Sequence, residues 1–346
     1  NHPLDCPICD QGGECQLQDV AVGYGGSSSR YQEEKRVVFH KDIGPLVSAE
    51  EMSRCIHCTR CVRFGQEIAG VMELGMVGRG EHSEITTFVG RSVESELSGN
   101  MIDLCPVGAL TSKPFRYQAR TWELARRRSV SPHDSLGANL VVQVKGDQVI
   151  RVVPFENEEL NECWISDRDR FSYEGLNEDR LTSPMVKGSD GQWREASWSD
   201  ALQAVAQGLM QVRDALGAAQ IGALASEYAT LEEMALLARV TRGLGSENID
   251  FRLRQTDLAF DAALTGVPWL GMNINALDTL DRVLVVGSFL RKDHPLMAQR
   301  LRQAVKRGTQ VSSVDTAGDD PLFKVTARAT TLPSALADTL AQVAVA

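Results

Sequence analysis

Seven of the eight cysteines fall into two groups whose spacing could hold metal clusters. The second group begins with Cys55, Cys58 and Cys61 and is completed by Cys105, which a proline follows. Three thiolates within seven residues can bind one face of a cubane, and a C-x2-C-x2-C run with a further Cys-Pro is the ferredoxin-like pattern for a [4Fe-4S] cluster. Tetrahedral zinc sites more often pair two separate C-x2-C segments. We therefore predict a [4Fe-4S] cluster on these four cysteines.

The first group combines one imidazole with three thiols, from His2, Cys6, Cys9 and Cys15. Four ligands would again complete a [4Fe-4S] cluster, but three cysteines and a histidine are also an accepted zinc set. The neighbouring ferredoxin-like motif favours a second cluster. Two clusters close together in sequence suggest a path for single electrons, and this is the central prediction from the sequence.

Few other residues suggest chemistry. Arg60 and Arg63 lie where their charge could offset the cluster thiolates and tune a reduction potential. His57 is better read as a neighbour than as a ligand, and the lone Cys163 as a small buried hydrophobe. No Ser-His-Asp arrangement, H-E-x-x-H or P-loop is evident, and neither Gly-x-Gly pair completes a nucleotide-binding motif. We expect no complete active site on this chain.

Composition limits the class of protein. The net charge is −10, which argues against nucleic acid as a partner. No run of about 18 apolar residues predicts a membrane span. Clustered thiols without an export signal indicate a reducing compartment. Because His2 is a proposed ligand so close to the terminus, and the chain stops in a helical pattern, we interpret it as a piece of a longer protein.

The pattern of elements changes along the chain. Near residue 139 two segments of alternating polarity, 139–145 and 148–153, predict a β-hairpin. After residue 197 helical patterns alternate with short apolar runs, which predicts a parallel, Rossmann-like sheet. The predicted helices and strands are listed in chain order: a helix over 200–216 capped by Ser199, a strand over 220–225, a helix from a capping box at Thr230 to Gly243, a strand over 282–287, a helix from Pro295 to Gly308, and a strand over 310–315.

The chain resembles the large iron–sulfur subunits of respiratory complex I, called the G subunit in bacteria and the 75 kDa subunit in mitochondria. The resemblance rests on residues 2–15, 41–47, 54–64, 95–100 and 105–114, and beyond about residue 190 it is mainly one of architecture. It implies α+β iron–sulfur modules followed by an incomplete α/β domain that is like molybdopterin oxidoreductases. The implied domains are 1–25 and 26–121, each with one cluster, 122–178, a degenerate cluster domain, and 179–346, the molybdopterin oxidoreductase-like domain.

The resemblance also implies function. His2, Cys6, Cys9 and Cys15 would bind a [4Fe-4S] cluster with one histidine ligand, and Cys55, Cys58, Cys61 and Cys105 an all-cysteine one. In the family these clusters relay electrons from the flavin- and NADH-binding subunit, through further iron–sulfur subunits, toward quinone. The chain would thus act within NADH:quinone oxidoreductase as a peripheral subunit, on the cytoplasmic face of the bacterial inner membrane or the matrix side of the mitochondrial one.

Two departures from the family pattern matter. Some members bind another cluster through C-x2-C-x3-C and a later cysteine, but here Ser131, Asp134 and Ala138 replace the first three and leave only Cys163. We expect that cluster to be absent, and no molybdopterin. A [2Fe-2S] cluster is expected only in the family's N-terminal ferredoxin domain, which these residues do not include.

Two other classes of function stay open. An iron–sulfur domain of an [FeFe] hydrogenase could share the His/Cys module but needs further cysteine motifs, while a formate dehydrogenase should keep the cluster that is lost here. A zinc-stabilised scaffold without a redox role is the second alternative, and metal analysis separates it from the others.

Overall fold

The computed structural model describes residues 2–252 and 258–345. The helices lie at the following positions: α1 Gln16–Tyr24, α2 Arg60–Phe64, α3 Asn100–Leu104, α4 Asp167–Phe171, α5 Trp198–Leu216, α6 Leu231–Gly243, α7 Leu258–Ala263, α8 Leu290–Asp293, α9 Pro295–Arg307 and α10 Leu336–Val345. The strands are β1 Val47–Ser48, β2 Leu74–Val77, β3 Glu84–Thr87, β4 Thr111–Ser112, β5 Ala125–Val130, β6 Asn139–Lys145, β7 Gln148–Pro154, β8 Met185–Lys187, β9 Trp193–Glu195, β10 Ala223–Leu224, β11 Ile249–Asp250, β12 Arg282–Val286, β13 Gln310–Asp315 and β14 Ala327–Thr330.

The chain forms two compact units. One comprises Asn1–Asn177 with Trp269–Ala346, and the other comprises Glu178–Pro268. All eight proposed cluster ligands belong to the first unit. The sequence-based domain boundaries at residues 26, 122 and 179 remain predictions.

The cysteine-rich region of the first unit is built on short elements around one apolar core. Two small antiparallel pairs, β1 with β4 and β2 with β3, brace this region. The core includes Val47, Phe64 and Leu110, which are almost completely buried, and Cys55, Cys61 and Cys105 pack against it while partly buried. Loops held against such a core can keep ligand side chains in place without long helices or strands.

The predicted hairpin is present. Strands β6 and β7 pair antiparallel, and β5 adds a third strand on the other edge of β6. Apolar residues of β6 and β7, with Ile165 and Tyr173 from the following segment, form a separate small core around Leu140 and Val152. This three-stranded sheet lies within residues 122–178, the range predicted for the degenerate cluster domain.

The α/β part contains the predicted parallel pairings. Strands β12, β13 and β14 form a parallel sheet in the first unit, and β10 pairs in parallel with β11 in the second unit. Within the described residues these are two sheets and not one continuous Rossmann-like sheet. The short apolar run at 220–225 yields only a two-residue strand, because Ala218–Gln220 forms a 3₁₀ turn.

Most of the predicted helix boundaries are correct. The capping box of Thr230 and Glu233 begins α6, Pro295 is the first residue of α9, and Gly308 ends α9 with a positive φ of 117°. One cap was wrongly assigned: α5 begins at Trp198 and its cap is Ser197, whose hydroxyl accepts from the Asp200 amide, not Ser199. Among residues 2–252 and 258–345, no helix combines the length and apolar character that crossing a bilayer requires.

Candidate metal centres

The structure brings the four cysteines of the second group around one cavity. Cys55, Cys58, Cys61 and Cys105 all line this cavity, with apolar neighbours that include Ile85. Cys55 and Cys58 come from the loop that enters α2, Cys61 lies in the first turn of α2, and Cys105 directly follows α3. The four cysteines grouped by their sequence pattern thus lie around the same cavity in the structure.

The loop between these cysteines has an unusual backbone. His57 and Thr59 both adopt the left-handed region, with φ values of 57° and 58°. Residues with a Cβ rarely occupy this region, so the surrounding structure must hold them there. Alternating backbone conformations of this kind turn successive N–H groups toward one point and form concave sites for anions, including iron–sulfur clusters. The His57 amide donates to the Cys55 sulfur at 3.4 Å.

Burial and mutual repulsion make bare thiolates unfavourable in this cavity. Burial, followed by the proximity of Cys105 and Cys55, raises the pKa of Cys61 to about 12. Burial also raises the pKa of Cys105, and the amides of Val107, Leu110 and Ala109 oppose that rise by donating to its sulfur. Such a set of thiols needs positively charged iron to become thiolate, because metal binding displaces the protons.

The first group is brought together less completely. Cys9 and Cys15 are buried, and Cys15 acts electrostatically on Cys9. His2 lies beside Asp5 and Arg54, the same two residues that act on Cys9. The thiol of Cys6, by contrast, belongs to an exposed residue in the 3₁₀ turn Cys6–Ile8.

The His2 side chain has features that suit a metal ligand. Its Nδ1 atom is buried and, within the part of the chain that the structure describes, has no hydrogen-bond partner. Burial lowers the pKa of His2, which favours the neutral imidazole that binds metals. A buried nitrogen without a partner costs free energy, and coordination would remove that cost.

One short backbone segment contacts both groups. The carbonyl oxygen of Pro106, next to Cys105, accepts from the Leu17 amide at 3.4 Å and from the Cys15 sulfur at 3.5 Å. Two residues further on, a Cβ added to Gly108 would lie 2.3 Å from the Cys9 sulfur. The glycine therefore permits a close approach that any side chain would block, and the two proposed sites are neighbours.

The arrangement of the donors in the second group is compatible with a cluster. A [4Fe-4S] cluster places each protein ligand on a different iron, so its ligands surround a space rather than a point. The cavity lined by the second group suits that arrangement. For the first group, the fit rests on the unpartnered His2 nitrogen and the close contact between Gly108 and Cys9.

The charged residues near the sites differ in part from those expected. Arg60 and Arg63 are both exposed, and Arg60 lines the cavity of the second group and donates to the Gln16 side chain at 3.0 Å. Arg54, which the sequence did not single out, is buried and pairs with Asp5. A signal was available, since Asp5 and Arg54 each directly precede the first cysteine of a group.

In the loop from Ser131 to Ala138, polar side chains accept hydrogen bonds from the loop's own amides. One carboxylate oxygen of Asp134 accepts from the amides of Leu136 and Gly137 at 2.9 Å and of Ala138 at 3.3 Å. The hydroxyl of Ser131 accepts from the amides of residues 133 and 134, both at 3.0 Å. These oxygens occupy positions where the family pattern has cysteines. Cys163 is exposed, so its interpretation as a buried hydrophobe is wrong.

Family models cover nearly the whole chain. Residues 1–30 match the iron–sulfur binding region of NADH-ubiquinone oxidoreductase-G, and residues 44–111 the ferredoxin-like domain of NADH-quinone oxidoreductase subunit 3. Residues 124–174 match the NDSU1/NuoG-like 4Fe-4S domain of NADH-ubiquinone oxidoreductase, and residues 180–345 match molybdopterin oxidoreductase.

Known relatives agree with these matches. The chain is 44% identical to the G subunit of NADH-quinone oxidoreductase from Rickettsia felis, over 89% of this chain and 45% of the relative. It is 45% identical to the mitochondrial NADH dehydrogenase [ubiquinone] iron-sulfur protein 1 of Solanum tuberosum, over 88% of this chain and 40% of the relative. The chain thus spans less than half the length of these relatives. A solved NAD+-reducing [NiFe]-hydrogenase in the H2-reduced state is 28% identical over 34% of this chain and 52% of its own, with a TM-score of 0.31, too low to support an argument.

Proposed function

Because this chain is homologous to the G and 75 kDa subunits of NADH-quinone oxidoreductases, we propose that it relays single electrons through two [4Fe-4S] clusters within such an enzyme. His2, Cys6, Cys9 and Cys15 would hold the first cluster, and Cys55, Cys58, Cys61 and Cys105 the second. The observation that carries the proposal is the convergence of the four cysteines of the second group on one cavity.

The residues of the chain have distinct tasks in this proposal. When bound, each cluster supplies a centre that takes up and releases one electron at a time. The thiolates and the His2 imidazole hold it, and the amides that donate to Cys55 and Cys105 stabilise negative charge on the sulfurs. The apolar core behind the second group limits the access of water.

The Pro106–Gly108 segment would connect the two cluster sites. It follows the last ligand of one site and contacts the sulfurs of Cys15 and Cys9 in the other. A short separation between the two groups is what electron transfer between clusters needs. We propose that electrons come from the flavin- and NADH-binding subunit and leave through further iron–sulfur subunits toward quinone.

The remaining parts of the chain would serve as scaffold. We infer that residues 124–174 hold no third cluster, because the Asp134 and Ser131 oxygens take the amide hydrogen bonds of that loop. We also infer that the part resembling molybdopterin oxidoreductases binds no molybdopterin. The protein would lie in the peripheral arm of the enzyme, on the cytoplasmic side in bacteria or the matrix side in mitochondria.

The test compares two cysteine variants of the full-length protein, prepared without oxygen. Cys58→Ala removes a proposed ligand and should lower the content of iron and of sulfide by about four atoms each, with loss of one EPR signal. Cys163→Ser, a change at an exposed cysteine outside both groups, should leave both quantities and all signals unchanged.

The opposite results would contradict the assignment. If Cys58→Ala kept its full iron content and every EPR signal, the second ligand set would be wrong. A colourless wild-type protein that carried zinc in place of iron would support the zinc-stabilised scaffold and end the proposal for a relay.

A further inference from the structure

Arg54 precedes the first ligand of the second group, yet its side chain lies at the first. Its Nε and Nη2 atoms donate to Asp5 Oδ2 at 2.9 and 2.7 Å, and Nη1 donates to the Gly108 carbonyl oxygen at 3.4 Å. Only 2% of the Arg54 side chain is exposed. The backbone position and the charge of this residue therefore belong to different sites.

The surroundings of this ion pair are the proposed ligands of the first cluster. The charges of both Asp5 and Arg54 act on His2 and Cys9. A Cβ on Gly108 would lie 2.3 Å from the Cys9 sulfur and 3.5 Å from Arg54 Cδ, so the sulfur and the arginine flank the same glycine. The other charge that reaches the guanidinium is Glu51, 4.0 Å away and more exposed.

A buried charge beside a cluster acts on the reduction potential. When the cluster takes up one electron its charge becomes more negative by one, and no bond forms or breaks. A fixed cation nearby stabilises the reduced form and raises the potential, while a fixed anion lowers it. Burial strengthens both effects because water screens them less.

We propose that the Asp5–Arg54 ion pair sets the reduction potential of the cluster held by His2, Cys6, Cys9 and Cys15, with Arg54 raising that potential and Asp5 lowering it. This inference rests on the proposed function. It assigns the pair to the first cluster and not to the cluster whose ligand Cys55 adjoins Arg54 in the sequence.

The experiment is a redox titration followed by EPR on the full-length protein. Arg54→Gln should shift the midpoint potential of the first cluster to more negative values, and Asp5→Asn should shift it to more positive ones. Arg54→Lys, which keeps the charge, should lie close to the wild type. The signal that disappears in Cys58→Ala identifies the second cluster, whose potential should move less in all three variants.

A matched control is available at Arg300. Its side chain is 3% exposed and pairs with Asp278 at 3.3 Å, and among residues 2–252 and 258–345 its hydrogen-bond and ion-pair partners include no proposed ligand. Arg300→Gln should leave both potentials unchanged. A pair that only anchored the fold would change iron content or stability but would not produce shifts of opposite sign.

The outcomes separate this inference from the function on which it rests. If the wild type lacks the two signals, the proposed function fails. If both signals are present and Arg54→Gln and Asp5→Asn shift the first cluster in the same direction or not at all, the inference alone is overturned. Should Arg54→Gln lose its iron, the shift in Asp5→Asn tests the inference instead. A more positive potential of the first cluster supports it, and a more negative or unchanged potential overturns it. Loss of the first cluster in both Arg54→Lys and Asp5→Asn would identify the pair as an anchor and also overturn the inference.

Discussion

At the scale of residues, spacing predicted which cysteines lie close together better than it predicted the residues around them. The run from Cys55 to Cys61 restricts three thiols to one loop whatever the rest of the fold does, and the structure places Cys105 with them. The direction of the Arg54 side chain depends instead on Asp5, which is 49 residues away in the chain. No local pattern encodes such a pairing, so the sequence pointed to Arg60 and Arg63.

Gly108 allows a prediction about the first site. A Cβ at this position would lie 2.3 Å from the Cys9 sulfur, so Gly108→Ala must displace the cysteine or the backbone. Crowding of this kind typically costs about 1–3 kcal/mol. We expect the variant to lose iron from the first cluster before the second, measured as the two EPR signals during slow exposure to a chelator.

The control for this prediction is Gly175→Ala. A Cβ on Gly175 would meet no heavy atom within 4 Å. That variant should retain both signals for as long as the wild type. Equal retention by Gly108→Ala would show that the close contact has no consequence for the site.

At the scale of elements, local signals were reliable where they depend on neighbouring residues. The hairpin of β6 and β7, the capping box of α6 and the proline at the start of α9 were all predicted. The helix α5 begins earlier than expected because Ser197, two residues before Ser199, is its cap. The Ser197 hydroxyl accepts a hydrogen bond from the Asp200 amide. Whether parallel strands join in one sheet depends on distant pairing, which no local pattern reveals.

The segment from Ser131 to Ala138 supports a prediction at this scale. Asp134→Ala removes an acceptor for three amides and should lower the free energy of unfolding by about 1–3 kcal/mol, because buried donors would lose their partner. Urea denaturation of the full-length protein measures this change.

Asp147 in the turn between β6 and β7 provides the comparison. It is exposed, so Asp147→Ala should change the free energy of unfolding by less than about 0.5 kcal/mol. Iron content should be unchanged in both variants, because neither aspartate is a proposed ligand. A loss of iron in Asp134→Ala would instead indicate that this loop still binds a cluster.

At the scale of the whole molecule, the proposed metal chemistry belongs to one of two compact units. Every proposed ligand lies in the unit of Asn1–Asn177 with Trp269–Ala346, while Glu178–Pro268 contains none. The sequence indicated this asymmetry through the distribution of its cysteines. It did not indicate that residues after 269 would join the cysteine-rich part, since that depends on packing between distant segments, such as Leu296 in the main core.

Iron removal should therefore act unequally on the two units. We expect anaerobic chelation to increase amide hydrogen exchange around residues 2–24 and 52–110, because the buried thiols would lose the cations that hold them. Exchange in α5 and α6 should stay unchanged. Hydrogen exchange with mass spectrometry on the full-length protein measures both, and an equal rise in the two units would contradict this division.

The segment from Cys105 to Gly108 has a consequence for how fast electrons could pass. Three peptide units extend over at most about 11 Å, so covalent bonds alone limit how far this stretch can lengthen. If electrons tunnel between the two clusters along it, covalent bonds fix the length of the path only as far as Gly108, and the contacts with the sulfurs of Cys9 and Cys15 complete it. Thermal motion should then change the rate of this step mainly through those two contacts.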